Sequence, residues 1–344
     1  MSKVRVGIIG CGAIAERLHV PDYSVCPHAE LVAFCDLIED KAQALADRFA
    51  PEAQVYTDFE IMLKKERLDA VSICLPNIFH GPASIAASRA GCHVFVEKPM
   101  ATSSEEAQSM IDAAEKAGKL IMVNQSQRRF STHRKAKEVL ESGILGKILY
   151  VTAMFGHSGP EYWSPTGKWF FQRDKARFGA MADLGVHTAD LIRYLSGMEI
   201  TEISAFAECL EKPDADVEDN FSSCIRFENG AIGTLAASWT IKGTGANFTN
   251  FHCENGTLRI DNSQPERKLV ANLVNPACEI VFDNPGPLNH YEGSWGVDVA
   301  GAFVRAVLGL EAPFCSGLEG KKSLDVILAA EESAMTGKRI SLKH

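Results

Sequence analysis

Between residues 4 and 123, short apolar runs at 4–9, 30–35, 71–75, 93–96 and 120–123 alternate with helix-patterned segments at 12–20, 39–49, 58–65, 81–90 and 103–117. When each strand returns through a helix, neighbouring strands must run parallel, and a parallel sheet needs helices over both of its faces. This predicts a doubly wound α/β domain. Its boundaries are well marked: Thr102-Ser103-Ser104-Glu105-Glu106 places a hydroxyl N-cap and acidic first-turn side chains at the positive end of the last helix.

The rhythm changes after about residue 130. A helix at 131–142 ends at Ser142-Gly143, a strand follows at 147–156, and a helix is expected at 180–196. The segments 200–211, 219–227, 231–241, 247–253, 256–260, 267–273 and 278–282 are short and β-branched. Turns such as Glu228-Asn229-Gly230 and Glu254-Asn255-Gly256 separate them. They predict an antiparallel meander, closed by helices near 294–309 and 317–336, and so an α+β second domain. A length of 344 residues suits two domains.

Composition narrows the partners. Thirty-five basic against 44 acidic side chains leave a net charge of −9, which disfavours nonspecific attraction to nucleic acid or an anionic membrane. Small molecules are the expected partners. No apolar run approaches the ~18 residues of a membrane span, and Met1-Ser2-Lys3 leads straight into a strand with nothing resembling a secretory signal. The ten cysteines are scattered without a C-x-x-C pair, so reduced thiols, a cytoplasmic setting and no metal site are expected.

The first strand runs into Gly10-Cys11-Gly12-Ala13-Ile14-Ala15, a G-x-G-x-x-A loop in the strand-turn-helix setting that gives the pattern its meaning. Gly10 permits the tight turn, Gly12 lets backbone approach a pyrophosphate, and Ala15 lets the helix lie close on the sheet with its N-terminus toward the phosphates. Asp36 ends the second strand, where an acid can bind the ribose hydroxyls of NAD. A 2′-phosphate about 5 Å away would be repelled by roughly 3 kcal/mol at an effective dielectric near 20. Leu37-Ile38 supplies no cation to offset that, so NADP is the less expected cofactor. A helix N-cap is the other role open to Asp36.

Two further strand ends carry Pro76-Asn77-Ile78-Phe79-His80 and Glu97-Lys98-Pro99. Ligands of doubly wound sheets sit beyond the carboxyl ends of the strands, which puts Pro76, Asn77, His80, Glu97 and Lys98 near the cofactor. His80 is equally a helix-start residue without chemistry. Farther on, Asp183 and His187 fall at i, i+4 in a helical segment, a spacing that suits proton transfer, although a lone pair of this kind is more often a plain polar contact. A metal would need further ligands that the spacings do not supply.

With these residues in view, the chain resembles the Gfo/Idh/MocA family of sugar and polyol oxidoreductases over nearly its whole length. The resemblance rests on the Gly10–Ala15 loop, the segment Pro76 to His80, Glu97-Lys98-Pro99, Asp183-x-Gly185-x-His187-x-x-Asp190 and Gly317-Leu318-Glu319-Gly320-x-x-Ser323-Leu324. It implies an NAD-binding Rossmann domain at 1–123 and a substrate-binding and oligomerisation domain at 124–344 with a large, open, mainly antiparallel sheet, assembling as a homodimer or homotetramer. It also implies that Lys98 is the active-site lysine, that Asp183 and His187 are the acid and the proton-transferring histidine, and that Pro99 follows a cis bond. Phe178-Gly179-Ala180 departs from the usual Gly-rich approach to the Asp, and Asn124 to Phe130 follows the family run only loosely.

An alcohol gives up a hydride only as its O–H proton leaves, so the site needs a base and a positive group near the oxygen, tasks suited to His187 and Lys98. On the substrate side, Tyr162, Trp163 and Lys168 lie in an aromatic and charged run at 161–174 that could cover a sugar ring, or could be core and subunit contacts. Arg128 is a further substrate-binding candidate. The expected activity is hydride exchange between NAD and a secondary alcohol of a sugar, inositol or related polyol. An enzyme that retains its nucleotide, for sugar-to-sugar or oxidation and elimination chemistry, and a noncatalytic NAD-binding regulator are the alternatives.

Overall fold

The computed structural model describes residues 3–164, 167–264, 266, 268–283 and 297–343. They divide into two compact units, one of residues 3–129 and 297–321, the other of residues 130–283 and 322–343.

The first unit is built on six parallel strands: β1 (Val4–Ile9), β2 (Ala29–Cys35), β3 (Gln54–Tyr56), β4 (Ala70–Ile73), β5 (His93–Val96) and β6 (Ile121–Val123). Their order, β3-β2-β1-β4-β5-β6, reverses direction between β1 and β4, and the crevice at such a switch point is where these sheets hold dinucleotides. β1 and β4 are almost wholly buried, as strands covered by helices on both faces must be. The short β3, at the sheet edge and half-exposed, is an addition to the strands expected from the sequence.

Helices α1 (Val20–Val25), α2 (Glu39–Phe49), α3 (Phe59–Lys65), α4 (His80–Arg89) and α5 (Ser104–Lys116) connect these strands. Ser103 caps α5 as expected, its hydroxyl accepting the Glu106 N–H, and Asp58 caps α3 through the N–H groups of Glu60 and Ile61. The chain returns to this unit late, where α9 (Val299–Val307) begins on a hydrogen bond from the Val299 N–H to Asp22 Oδ2 at 2.8 Å and Val123 N–H bonds the Cys315 carbonyl. The expected division at 123/124 takes no account of this return. Residues 294–296 of the helix expected at 294–309 lie outside the described residues.

The second unit holds a nine-stranded sheet of β7 (Ile148–Gly156), β8 (Ile200–Glu208), β9 (Asn220–Phe227), β10 (Ile232–Ser238), β11 (Ala246–Cys253), β12 (Gly256–Asp261), β13 (Leu269–Val274), β14 (Ala277–Val281) and β15 (Ile340–Ser341). The expected meander needs correction. β7 enters the sheet between β11 and β10 and runs parallel to β10, so β10 and β11, consecutive in sequence, do not pair. β7 reaches the sheet first and becomes its central strand, with two antiparallel runs built outward from it. One face, bearing Leu235, Phe221, Ile225 and Phe251, is buried against α6 (Ser131–Glu141) and α8 (Val186–Ser196). The other shows Ser204, Phe206, Ser222, Cys224, Arg226 and Ile232, an alternation that follows from the period of two.

Candidate active site

In the first unit the motifs gather at the carboxyl ends of β1, β2, β4 and β5. Gly10 has φ +91°, and a Cβ there would stand 2.5 Å from the Cys74 carbonyl oxygen, so the turn admits glycine alone. At Gly12 a Cβ would meet no atom within 4 Å, leaving the backbone open to a close-lying phosphate group. Ala15 is fully buried at the start of a single π-helical turn, Ala15–His19, and half-buried Ala13 and Ile14 already have helical backbone just before it. Asp36 accepts the Cys11 N–H through Oδ2 (2.8 Å) and the Ile38 N–H through Oδ1 (2.9 Å), tying the loop to the end of β2. Leu37 and Ile38 beside it are exposed. Burial, with Asp36 next in effect, pushes the Cys11 thiol far up and keeps it inert. Open backbone at Gly12, a glycine-only turn and an anchored acid fit a dinucleotide.

The next two turns are clasped together. His80 is buried and its ring nitrogens lie 2.7 Å from the Pro99 carbonyl and 2.8 Å from the Leu75 carbonyl, spanning the turns after β5 and β4. Burial lowers its pKa. Pro76 precedes the 3-10 turn Asn77–Phe79, with Asn77 buried. The Lys98-Pro99 bond is cis, and Lys98 is half-exposed at the end of β5. Glu97 is buried and would be pushed up by desolvation. Hydrogen bonds from His19 and Asn124 and the charges of His19 and Lys98 outweigh this and hold it down to about 2.

Arg128 is buried, with its guanidinium on the Phe314 carbonyl (3.1 Å) and the Glu319 carboxylate (3.2 Å), both in its own unit.

In the second unit the segment that carries Asp183 is a π-helical turn, Met181–Gly185, running into α8. Its start is fixed by Glu218, whose Oε1 accepts the Gly179 N–H (2.8 Å) and the Met181 N–H (2.9 Å). A Cβ on Gly179 would stand 1.9 Å from the Glu218 carbonyl oxygen, which accounts for the glycine. Burial pushes the Glu218 carboxyl up to about 7 against these hydrogen bonds. Asp183 is itself buried, and its Oδ2 receives the indole N–H of fully buried Trp239 at 2.9 Å. His157 Nε2 lies 3.9 Å from the same oxygen, and His157 Nδ1 accepts the Gly159 N–H, which places the ring proton on Nε2, facing Asp183. His187, one α-helical turn on, lies against the Phe155 ring at 6.2 Å between centroids.

Trp239 and His157 are the residues that reading the sequence missed. Each follows directly after its strand, and the register pairs Ser238 with Gly156, so both emerge at one end of the sheet. Finding them requires the parallel pairing of β7 with β10, which a meander does not contain. The aromatic run before Asp183 separates into two parts. Half-buried Trp163 and Trp169 pack on buried Phe170, at 5.2 and 3.9 Å, against the core, whereas Tyr162 and Lys168 are exposed. Pro165 and Thr166 of that run lie outside the described residues.

Comparison with known proteins agrees with this geometry. Residues 4–125 match the model of the oxidoreductase family with an NAD-binding Rossmann fold, and residues 133–259 match the GFO/IDH/MocA C-terminal domain. The chain belongs to the Gfo/Idh/MocA family. It is 32% identical to D-glucoside 3-dehydrogenase of Escherichia coli over 255 residues, 70% of this chain and 71% of that one. It is 25% identical to myo-inositol 2-dehydrogenase of Thermotoga maritima over 99% of both chains. Among solved structures, the WlbA dehydrogenase of Bordetella pertussis, in complex with NADH and UDP-GlcNAcA, is similar with a TM-score of 0.86 at 26% identity, covering 100% of this chain and 99% of that one. As a member of this family the chain is an oxidoreductase with an NAD-binding unit. No helix among its described residues is long and apolar enough to cross a membrane.

Proposed function

We propose that the protein is an NAD-dependent dehydrogenase that moves a hydride between nicotinamide and a secondary alcohol of a sugar, inositol or related polyol, with a cofactor that exchanges freely. The observation that carries this reading is Lys98, half-exposed in the cis-Pro turn at the carboxyl end of β5, in the unit whose loop and Asp36 fit a dinucleotide. The relatives named for glucoside and inositol oxidation support the substrate class.

Bound nicotinamide supplies the hydride acceptor. His187 takes the alcohol proton as the hydride leaves, Asp183 orients and balances the imidazole, and Lys98 stabilises the charge growing on the oxygen. In the reverse direction Lys98 polarises the ketone and His187 returns the proton. Exposed Tyr162 and Lys168 and half-buried Trp163 are the substrate contacts of this reading. Asp36 with Leu37 and Ile38 favours NAD over NADP by charge. Two further parts of the reading are a cytoplasmic setting, in keeping with ten cysteines scattered without a C-x-x-C pair, and a homodimer or homotetramer joined through the sheet face away from α6 and α8.

A panel of sugars and cyclitols, followed by NADH absorbance, tests the activity. Reduction of NAD by at least one panel member is expected. Failure across the panel, with NADH binding intact by fluorescence titration, would overturn the dehydrogenase reading.

A further inference from the structure

The first π-helical turn, Ala15–His19, follows the phosphate loop and turns His19 into the sheet, where the ring is completely buried beneath the strand end that bears Lys98. There His19 Nε2 lies 2.7 Å from Glu97 Oε1 and Nδ1 lies 2.6 Å from Ser72 Oγ. Glu97 also accepts the Asn124 side-chain N–H through Oε1 (2.6 Å) and the Lys98 backbone N–H through Oε2 (3.2 Å). Every named partner of this carboxylate is thus a donor, and Asn124 leaves its own buried Oδ1 without one. Tyr23 donates to Ser72 at 3.3 Å and Asn124 Nδ2 lies 3.2 Å from His19 Nε2, so Tyr23, Ser72, His19, Asn124 and Glu97 form one connected polar cluster.

Such a cluster is more than a core needs. An apolar pair of the same volume would fill the space without desolvating a carboxylate, and a buried ion held in donors is weak evidence for stability. Its position is informative instead: Glu97 immediately precedes Lys98, and its second oxygen holds the Lys98 amide.

We infer that His19 is a positioning residue for the reaction, acting through Glu97: it keeps the Glu97 carboxylate charged and aimed, and the carboxylate fixes the turn that presents Lys98. The inference rests on the role proposed for Lys98 and adds to it a group buried beneath the sheet end. The titratable and charged groups around Glu97 are His19 and Tyr23 from the segment after the loop, Cys74 after β4, His80 at the start of α4 and Lys98. Cys74 is buried and pushed well up, so it stays neutral, and His80 is pushed down, which leaves His19, Asn124 and Lys98 to hold the charge.

His19→Leu removes the donor and His19→Gln keeps one within reach of Glu97. Three measurements on the full chain test the inference. In His19→Leu, turnover should fall about 10- to 100-fold, the scale of a displaced positioned group, with NADH affinity within roughly threefold of the parent. His19→Gln should recover most of that loss. Infrared difference spectra of the protein without substrate, between about pH 8 and about pH 5, should show a protonated-carboxyl band in His19→Leu that is absent from the parent and is removed by adding Glu97→Gln. Should His19→Leu fail to fold, Ser72→Ala serves in its place, since it frees the His19 ring to turn and should produce the same band and a smaller loss of turnover. A His19→Leu enzyme that turns over within threefold of the parent, or Leu and Gln variants equally impaired, would overturn the inference, as would a carboxylate that stays charged in the Leu and Ser72→Ala proteins. If the parent oxidises no member of the panel, the dehydrogenase reading fails while the infrared arm still decides whether His19 holds the charge.

Discussion

Trp239 donates its indole N–H to Asp183 Oδ2 at 2.9 Å inside the second unit, where neither residue is open to solvent. A buried carboxylate needs such donors, and removing one weakens its compensation. Trp239→Phe should lower stability by about 1–3 kcal/mol from the lost hydrogen bond, together with the packing lost against Phe171. Urea unfolding of Trp239→Phe, Asp183→Asn and the double variant forms a cycle that isolates the pair. A coupling of at least about 1 kcal/mol is expected, and one below about 0.5 kcal/mol would remove the hydrogen bond from the account.

Lys98→Ala and His187→Ala should each lower turnover by roughly 100-fold or more, with NAD binding largely kept, because a positioned proton-transfer or charge-stabilising group is lost. Asp183→Asn should do less. The measurement is kcat on a proven substrate, with a deuterium isotope effect establishing that chemistry limits the rate. An alanine variant within a few-fold of the parent under that condition takes the residue out of the mechanism.

Much of the first unit was legible in the sequence because its signals are local. Ser103 caps its helix through Glu106 three residues on, Gly10, Asp36 and Glu97 are marked by their places at the ends of apolar runs, and the strand order follows from βα alternation. The functional consequences of Glu97 were less so, since His19 and Asn124 reach it from 78 and 27 residues away in the chain. In the second unit the strands themselves were readable from alternation and turns, whereas the insertion of β7 beside β10 was not: nothing in either strand's pattern specifies a parallel neighbour. That one pairing brings His157 and Trp239 to Asp183, so the surroundings of the acid were hidden together with it.

Asp36 bonds two backbone N–H groups and still stands at the end of β2, next to exposed Leu37 and Ile38. A 2′-phosphate there meets the Asp36 carboxylate, with apolar Leu37 and Ile38 next to it in the chain. Catalytic efficiency should therefore favour NAD over NADP, and Asp36→Ser with Leu37→Arg should move the preference toward NADP. Equal or better use of NADP by the parent would refute the assignment.

The sheet face opposite α6 and α8 carries Phe206, 82% exposed, and Ile232, 48% exposed, among Ser204, Ser222, Cys224 and Arg226. Its broad surface suits a second copy related by symmetry. Light scattering at micromolar concentration should give at least a dimer, and Phe206→Glu should shift the distribution toward smaller species. A strict monomer in the parent would defeat the proposal.

Glu218 supplies a pH dependence with a definite sign. Its carboxyl is raised from 4.5 to about 7, mainly by burial, so the folded protein binds this proton more tightly than the unfolded chain does. The associated stability is fully present below about pH 4.5, is lost as pH rises toward 7 and changes little above it, a total of about 3 kcal/mol. Glu218→Gln keeps an oxygen to accept the Gly179 and Met181 N–H groups without the charge. His80 and His93, both lowered by burial, titrate in an overlapping range with the opposite sign, and Glu97 and Glu199, lowered to about 2, act below it. Those contributions are common to parent and variant. The informative quantity is therefore the difference between the two unfolding free energies, measured with urea at about pH 4.5, 6 and 8. That difference should move in favour of the Gln protein by roughly 2–3 kcal/mol across the range. Unfolding free energies that run parallel in pH would mean that Glu218 titrates as an ordinary carboxylate, and that its hold on the helix carrying Asp183 involves no strain of charge.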